Sequence, residues 1–301
     1  MKFETVSPGQ FELLFPQSLT PYGSVRFNDL NAYKTGAVRY VCMKDSKDKP
    51  RLGASFGIID RRASDPFSAP FGEIRAKGEQ KLETVDYFCR GLKDVLEAES
   101  IKLVLPPGFY GMPMMAKFEA CLSAICRESY RDMNYHYCLD DFPDFIRNLE
   151  GNARSHYNKA VASGFSCRTC RLDEAYDVIQ KNRAEHGYPL RMTLSDLQST
   201  SHIITIDSFI IELSGAPVAA AIVYRLTDRI AQVIYWGDIA EYRKCRPMNL
   251  LSEKVFSFYS RQNFDIVDLG PSSSDGVPDM GLSTFKESLG CRLTFKPTFI
   301  L

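Results

Sequence analysis

The sequence predicts a mixed α/β protein of two domains, each a mixed, mostly antiparallel sheet flanked by helices. At 301 residues the chain exceeds what one small core usually holds. Its hydrophobic content of 45% and charged content of 25% are typical of a globular protein. Strand-like and helix-like patterns also alternate along both halves. We place the boundary after Phe142, beside Pro143, which gives domains 1–142 and 143–301.

The first half mixes strands and helices. Its clearest helix is Glu79–Glu99, where Leu82, Val85, Phe88 and Leu92 recur at helical spacing. Before this helix, two predicted strands are joined by a charged hairpin loop. Ser64–Gly72 is rich in proline and glycine, which favours a loop. The predicted strands are 37–43, 52–60, 101–105 and 133–139, and a second helix is predicted at 113–127.

The second half has a more informative order of elements: helix, strand, helix, three-stranded meander, helix, strand, helix, strand. Pro247 stands at the favoured first position of an amphipathic helix, and Asp173 is a plausible N-cap. This α/β order can expose a cleft where neighbouring strands separate. The predicted strands are 165–171, 208–213, 217–226, 229–236, 264–269 and 292–300, and the helices are segments up to 163, then 173–186, 247–262 and 281–289.

Charge and hydropathy exclude several classes of protein. The 37 basic and 37 acidic residues cancel, which argues against a DNA-coating protein. The N-terminus lacks the apolar region of a secretory signal. The longest apolar run, 217–224, falls far short of the roughly 20 residues that span a bilayer. We therefore expect a cytoplasmic protein without a transmembrane segment.

Cysteine and histidine spacing predicts neither a disulfide framework nor a metal site. The nine cysteines are an odd number scattered over both halves. Cys167 and Cys170 form the only C-x-x-C motif, and no second pair follows. The four histidines are dispersed. Nucleophile-elbow, Walker and dinucleotide-binding motifs are also absent, so hydrolase, nucleotidase and dehydrogenase functions have no support.

Four short motifs carry a family resemblance. Asn152–Gly164 resembles an N-x-R-x-x-x-x-K-A-x-x-x-G stretch, and Gly281–Gly290 resembles a G-L-x-x-F-K-x-x-x-G ending. Phe264–Gly270 and Ser68–Gly72 are similar to further segments in the same order. Together these motifs resemble the Fem-like, two-domain branch of the GNAT superfamily, which has the acyl-CoA N-acyltransferase fold and is related to peptidoglycan aminoacyltransferases.

The resemblance implies two tandem GNAT-like domains with the acyl-donor site in the second. It implies an N-acyltransferase that moves an acyl or aminoacyl group from acyl-CoA or aminoacyl-tRNA to the amine of a small or peptide-like acceptor by direct attack. No tightly bound cofactor is expected, with acyl-CoA as a possible co-substrate. The alternative is a catalytically silent binding module of the same fold. The sequence does not determine the oligomeric state.

Two departures from the family pattern bear on function. No helical segment is long enough for the coiled-coil arm of some Fem enzymes. The Q/R-x-x-G-x-G/A loop that binds CoA pyrophosphate in GNAT enzymes is replaced by Arg243–Met248, which lacks glycine. The loss of glycine hinders close approach of the backbone to a pyrophosphate, so this departure argues against CoA.

Candidate donor-binding residues lie at the start of the Pro247 helix. Backbone N–H groups from Met248 and Asn249, together with Arg243 and Arg246, could bind a phosphate at the positive end of the helix dipole. The alternative is a solvated basic loop.

The remaining candidates are substrate-pocket and catalytic residues. Tyr235 and Trp236 end a strand that the resemblance places beside the acyl group, although a buried core aromatic is the more frequent explanation for Trp236. Arg154 belongs to a basic cluster that could bind an anionic acceptor or RNA phosphates, or could be a solvated helix face. Lys286 precedes the closing glycine, where the resemblance implies a group that protonates the leaving group or stabilises the oxyanion. The alternative is a surface lysine. The basic cluster comprises Arg154, His156, Lys159, Arg168 and Arg171.

Overall fold

The computed structural model describes residues 1–111 and 113–301. Internal contacts divide the chain into two compact units. Unit 1 comprises Met1–Met133, Ser273–Val277 and Thr294–Leu301, and unit 2 comprises Asn134–Ser272 and Pro278–Leu293. Each unit contains a sheet and helices, which confirms the predicted mixed α/β class. The domain boundary at residue 142 stays a prediction.

Unit 1 is a sheet covered by two long helices. Its strand order is β1-β2-β3-β4-β6, and β5 pairs with β3. Residues 298–300 of the last strand pair with 102–104. The strands are Lys2–Val6 (β1), Ala37–Lys44 (β2), Pro50–Ile59 (β3), Arg62–Asp65 (β4), Ile74–Ala76 (β5) and Ser100–Val104 (β6), and the helices are Pro8–Leu14 (α1), Val25–Asn31 (α2), Leu82–Leu96 (α3) and Met114–Ile125 (α4).

The core of unit 1 follows from the pattern that predicts α3. Val85, Phe88 and Leu92 are fully buried in one apolar cluster with residues of β2, β3 and α4. Burial of this face stabilises the helix because apolar side chains leave water. The predicted loop Ser64–Gly72 begins instead with the end of β4, which pairs in parallel with β6.

The sheet strands of unit 2 follow the order β7-β12-β11-β10-β9-β8. The predicted meander is confirmed, because β9, β10 and β11 pair antiparallel in sequence order. The elements from β7 onward are Glu128–Cys138 (β7), Phe145–Asn148 (α5), Ala153–Ala162 (α6), Ser166–Thr169 (β8), Leu172–His186 (α7), Leu194–Ser201 (α8), Ile206–Leu213 (β9), Ala216–Arg225 (β10), Ile230–Asp238 (β11), Pro247–Ser260 (α9), Ile266–Pro271 (β12), Ser273–Ser274 (β13), Val277–Pro278 (β14), Met280–Ser288 (α10) and Arg292–Ile300 (β15).

Two local features of unit 2 differ from expectation. Asp173 is not the N-cap of α7, because the helix begins one residue earlier, with Arg171 as its cap. The Asp173 carboxylate instead accepts a hydrogen bond from the Arg171 guanidinium. Helix α8 was not predicted, although Thr193 and Asp196 form a capping box at its start.

No helix within residues 1–111 and 113–301 is both long enough and apolar enough to cross a membrane.

Candidate functional site

The sheet of unit 2 opens between β11 and β12. The two strands pair in parallel only over Ile230–Gln232 and Ile266–Asp268. The last pair is fixed by the buried Asp268 carboxylate, which accepts hydrogen bonds from Gln232 Nε2 at 2.7 Å and Gly270 N at 2.9 Å. Beyond the Gln232–Asp268 pair, β11 continues to Asp238 and pairs only with β10. The register between β10 and β11 shifts near Ile222. The end of β11, from Trp236 to Asp238, lines a cleft.

A cleft of about 780 Å³ lies within unit 2. It is bounded by the end of α7, the end of β11, the start of α9, helix α10 and residues 150–156. Its size is in the usual range for sites that bind small molecules. The lining residues are Glu150, Gly151, Asn152, Ala153, His156, Asn182, Arg183, His186, Tyr188, Trp236, Gly237, Asp238, Arg243, Arg246, Met248, Asn249, Asp279, Gly281, Leu282, Thr284, Phe285, Glu287 and Ser288.

The start of α9 forms one wall of this cleft. Pro247 is its first residue, as the sequence predicts, and Arg246 is the N-cap. Arg246 has a φ of 61°, a left-handed conformation that is uncommon for a residue other than glycine. Met248 and Asn249, which follow Pro247, also line the cleft. The predicted donor-binding residues are therefore brought together, although their role as a donor site stays a prediction.

The guanidinium of Arg246 is the available cation at this wall. The Arg246 side chain is exposed and makes no hydrogen bond or ion pair with any residue that the structure describes. His156 is close enough to be affected by it: burial, and then the charges of Arg246 and Lys159, lower the pKa of His156. The local potential is therefore positive beside the first turn of a 14-residue helix.

Arg243 also lines the cleft, but its guanidinium is already paired. Its Nε lies 3.1 Å from Asp238 Oδ1, and one terminal nitrogen lies 3.2 Å from His186 Nε2. The backbone N–H of Ala240 donates to Glu185 Oε2 at 2.8 Å. These contacts tie residues 240–245 to the end of α7, so Arg243 has less capacity to bind a ligand than Arg246.

Asp238 is the most buried acidic side chain of the cleft. It is 8% exposed, and burial raises its pKa while Arg243 opposes the rise. Its backbone carbonyl accepts from Asn182 Nδ2 at 2.7 Å. This contact requires Gly237, because a Cβ there would lie 2.4 Å from Asn182 Oδ1. A raised pKa makes this carboxylate a better proton acceptor than an exposed aspartate.

Only one of the two predicted pocket aromatics lies in the cleft. Trp236 lines it and packs edge-on against Phe285, with ring centroids 5.8 Å apart. Tyr235 is absent from the lining, and its ring lies 5.7 Å from the guanidinium carbon of Arg183. The two residues differ because neighbouring side chains of a strand point to opposite faces.

Lys286 is buried behind β12. The side chain is 1% exposed, so the surface-lysine alternative is wrong. Its Nζ donates to the carbonyls of Leu269 at 3.0 Å, Gly270 at 2.8 Å and Pro271 at 3.1 Å. Burial lowers its pKa from 10.5 to about 8. The three carbonyls use all three N–H groups of the ammonium, and Lys286 does not line the cleft. Its catalytic role stays a prediction.

The sequence suggested Arg154 as a pocket residue, but Arg154 lies outside the cleft lining. Its guanidinium donates to the carbonyls of Ile146 at 3.2 Å and Arg147 at 2.8 Å. Two other members of the basic cluster are paired with acids: Arg168 with Glu212 and Glu174, and Arg171 with Asp173. These partners neutralise much of the charge that the sequence pattern suggested.

Several lining residues were not predicted. Asn182, Arg183 and His186 lie at the end of α7, and Asp238 follows Trp236 at the end of β11. The signal for Asp238 was its position, since an acidic residue at a strand end beside a predicted pocket residue is a candidate for chemistry. No comparable signal marks the end of α7.

No protein-family model matches this sequence, and no curated protein matches it. Solved structures do match at full length. FemX aligns with a TM-score of 0.67 and 12% identity, over 100% of this chain and 97% of FemX. A tandem GNAT protein from the clavulanic acid biosynthesis pathway gives 0.60 and 12%, over 100% and 98%. L-PGS from Bacillus licheniformis gives 0.59 and 12%, over 98% and 92%.

At these identities the similarity concerns the fold. The chain has the two-domain GNAT-like fold with the Fem-like branch among its structural neighbours, as the sequence resemblance implied.

Proposed function

We propose that this chain is an N-acyltransferase that moves an acyl or aminoacyl group from an activated donor to an amine. The donor would be an acyl-CoA or an aminoacyl-tRNA, and the acceptor a small or peptide-like amine. The GNAT-like fold and the cleft of unit 2 support the proposal. The observation that carries it is the unpaired guanidinium of Arg246 beside the first turn of α9, inside that cleft.

The donor side follows from charge. Both kinds of donor carry phosphates, and a helix N-terminus with an adjacent arginine is a common anion site. Arg246 supplies the charge, and the first turn of α9 adds the positive end of the helix dipole. Arg243 contributes by holding the loop in place through Asp238. Because glycine is lost from this loop, phosphate contacts would depend on the Arg246 side chain.

The chemistry follows from the cleft's buried carboxylate. The acceptor amine attacks the donor carbonyl, so a C–N bond forms as the ester C–O or thioester C–S bond breaks. The proton that the amine loses passes to Asp238 and then to the leaving oxygen or sulfur. Burial raises the pKa of Asp238, which favours this proton transfer. Lys286 would act as a positioning residue, because its ammonium holds the carbonyls at the end of β12.

A catalytically silent binding module is the second candidate. One observation favours it: Arg243 is committed to Asp238, so one of the two arginines expected to bind a donor is already paired. Such a protein would bind a phosphorylated ligand at α9 and form no product.

Equilibrium binding to acetyl-CoA, longer acyl-CoAs and aminoacyl-tRNA, followed by a product assay with an amine panel, tests the proposal. Arg246→Ala should weaken binding of the productive donor. The matched control is Arg261→Ala, because Arg261 is an exposed arginine at the opposite end of α9. Donor binding without any amide product would favour the silent module, and the absence of binding to every donor would contradict both candidates.

A further inference from the structure

Asn249 is a largely buried residue that lines the cleft, and its side chain has no hydrogen-bond partner among the described residues. It is the third residue of α9, is 5% exposed and belongs to the cleft lining. Its backbone N–H lies 3.2 Å from the Arg246 carbonyl, which fixes its position. Its side-chain carboxamide makes no hydrogen bond to any residue among 1–111 and 113–301.

Neighbouring polar groups show how unusual this is. Ser252 Oγ donates to the Met248 carbonyl at 2.8 Å, and Asn182 Nδ2 donates to the Asp238 carbonyl at 2.7 Å. Most buried polar groups in native proteins are hydrogen-bonded to protein or to water. An unpaired carboxamide facing a cleft therefore indicates a place where a ligand supplies the missing partner.

The chemistry of the carboxamide specifies that partner. Its NH2 group donates and its oxygen accepts, side by side in one plane. A second amide offers the complementary carbonyl and N–H, whereas a hydrocarbon would leave both groups of Asn249 unpaired. The aromatic ring of Trp236 and the side chain of Met248 supply apolar lining for the rest of such a ligand.

We propose that Asn249 recognises an amide group of the ligand, donating to its carbonyl and accepting from its N–H. The inference rests on the proposed function only in taking the cleft to be the substrate site. Two sources can supply the amide: the pantetheine arm of an acyl-CoA donor, or the backbone of a peptide-like acceptor.

Pantetheine and glycylglycinamide separate these sources, because each carries amides and neither carries a phosphate. Ligand-observed NMR titrations of both probes would be compared for wild type, Asn249→Leu and Asn249→Ser. We expect wild type to bind at least one probe and both variants to bind it about 10-fold more weakly, since two hydrogen bonds are lost. Asn158→Leu, an exposed asparagine on α6 outside the lining, is the matched control and should bind like wild type.

A second measurement needs no ligand. Asn249→Leu removes a carboxamide that has no partner in the protein and keeps a similar volume, so it should not lower the Tm. Weak binding of acyl-CoA or aminoacyl-tRNA by wild type would count against the proposed function. The Tm of Asn249→Leu tests only the role of Asn249. The inference is overturned if wild type binds neither probe, if both variants bind as tightly as wild type, or if both variants lower the Tm.

Discussion

Nε of Arg243 lies 3.1 Å from Oδ1 of Asp238, and this contact joins the segment before α9 to the end of β11. Asp238 is buried, whereas the Arg243 side chain is 42% exposed. Arg243 therefore mainly compensates the buried negative charge of Asp238, and its guanidinium has limited capacity left to bind a ligand.

Arg243→Ala should therefore destabilise the protein. It leaves the Asp238 carboxylate buried and unpaired, at a cost of about 1–2 kcal/mol after allowing for the exposure of Arg243. Adding Asp238→Asn removes the charge, so the double variant should be more stable than the sum of the single changes predicts. Urea unfolding of the four proteins in a double-mutant cycle measures this coupling. Strictly additive effects would show that the contact contributes nothing.

Arg246 should behave in the opposite way. Arg246→Ala should weaken binding of a phosphorylated donor by about 10-fold, the loss of one charged hydrogen bond, without lowering the free energy of unfolding. Arg246→Gly should lose the same affinity and gain up to about 1 kcal/mol of stability, because glycine tolerates the φ of 61°. Calorimetric titration and urea unfolding measure the two quantities. Unchanged donor affinity in both variants would show that Arg246 is only solvated.

The order of elements in unit 2 could be predicted because local patterns encode it. Pro247 marks the start of α9, just as helical spacing marks α3 in unit 1. The resemblance pointed to residues 243–249, and four of them line one cleft, but their role in binding a donor stays a prediction. Alternation along β11 could also have separated Tyr235 from Trp236, since only one of two adjacent strand residues can face the cleft.

The partners of the charged residues could not be predicted in the same way. Arg243 pairs with Asp238 after the chain turns through a short 3₁₀ helix, and Lys286 finds its three carbonyls 15 to 17 positions earlier. These contacts depend on how elements pack, which no local pattern reports. The sequence therefore indicated residues capable of chemistry. It left open which of them already form hydrogen bonds or ion pairs within the protein.

Lys286→Met should alter the pH dependence of stability. Burial lowers the pKa of Lys286 from 10.5 to about 8 in the folded protein. Between these values the unfolded chain holds more protons than the folded one, so this lysine makes unfolding more costly as pH rises. The stability of wild type relative to Lys286→Met should therefore increase from pH 8 to pH 10. Urea unfolding of both proteins at these pH values measures the difference, and a constant difference would contradict the burial of a charged lysine.

Lys286→Met should also affect turnover, and the size of the effect separates two roles. A direct oxyanion contact would cost roughly 100- to 1,000-fold in kcat with little change in KM. A positioning role through the carbonyls of β12 should cost less and also destabilise the protein, by about 2–4 kcal/mol, because buried carbonyls lose their donor. We expect the second pattern. Wild-type kcat together with wild-type stability would exclude both roles.

Product formation in the cleft tests the central claim most directly. Purified wild type, Arg246→Ala and Asp238→Asn would be incubated with each donor and an amine panel, and the amide product quantified by mass spectrometry. We predict an amide product from wild type with at least one donor, about 10-fold less at limiting donor from Arg246→Ala, and a loss of about 100-fold or more from Asp238→Asn. An amide product formed equally by all three proteins, or by none of them with any donor, would contradict an acyltransferase site in this cleft.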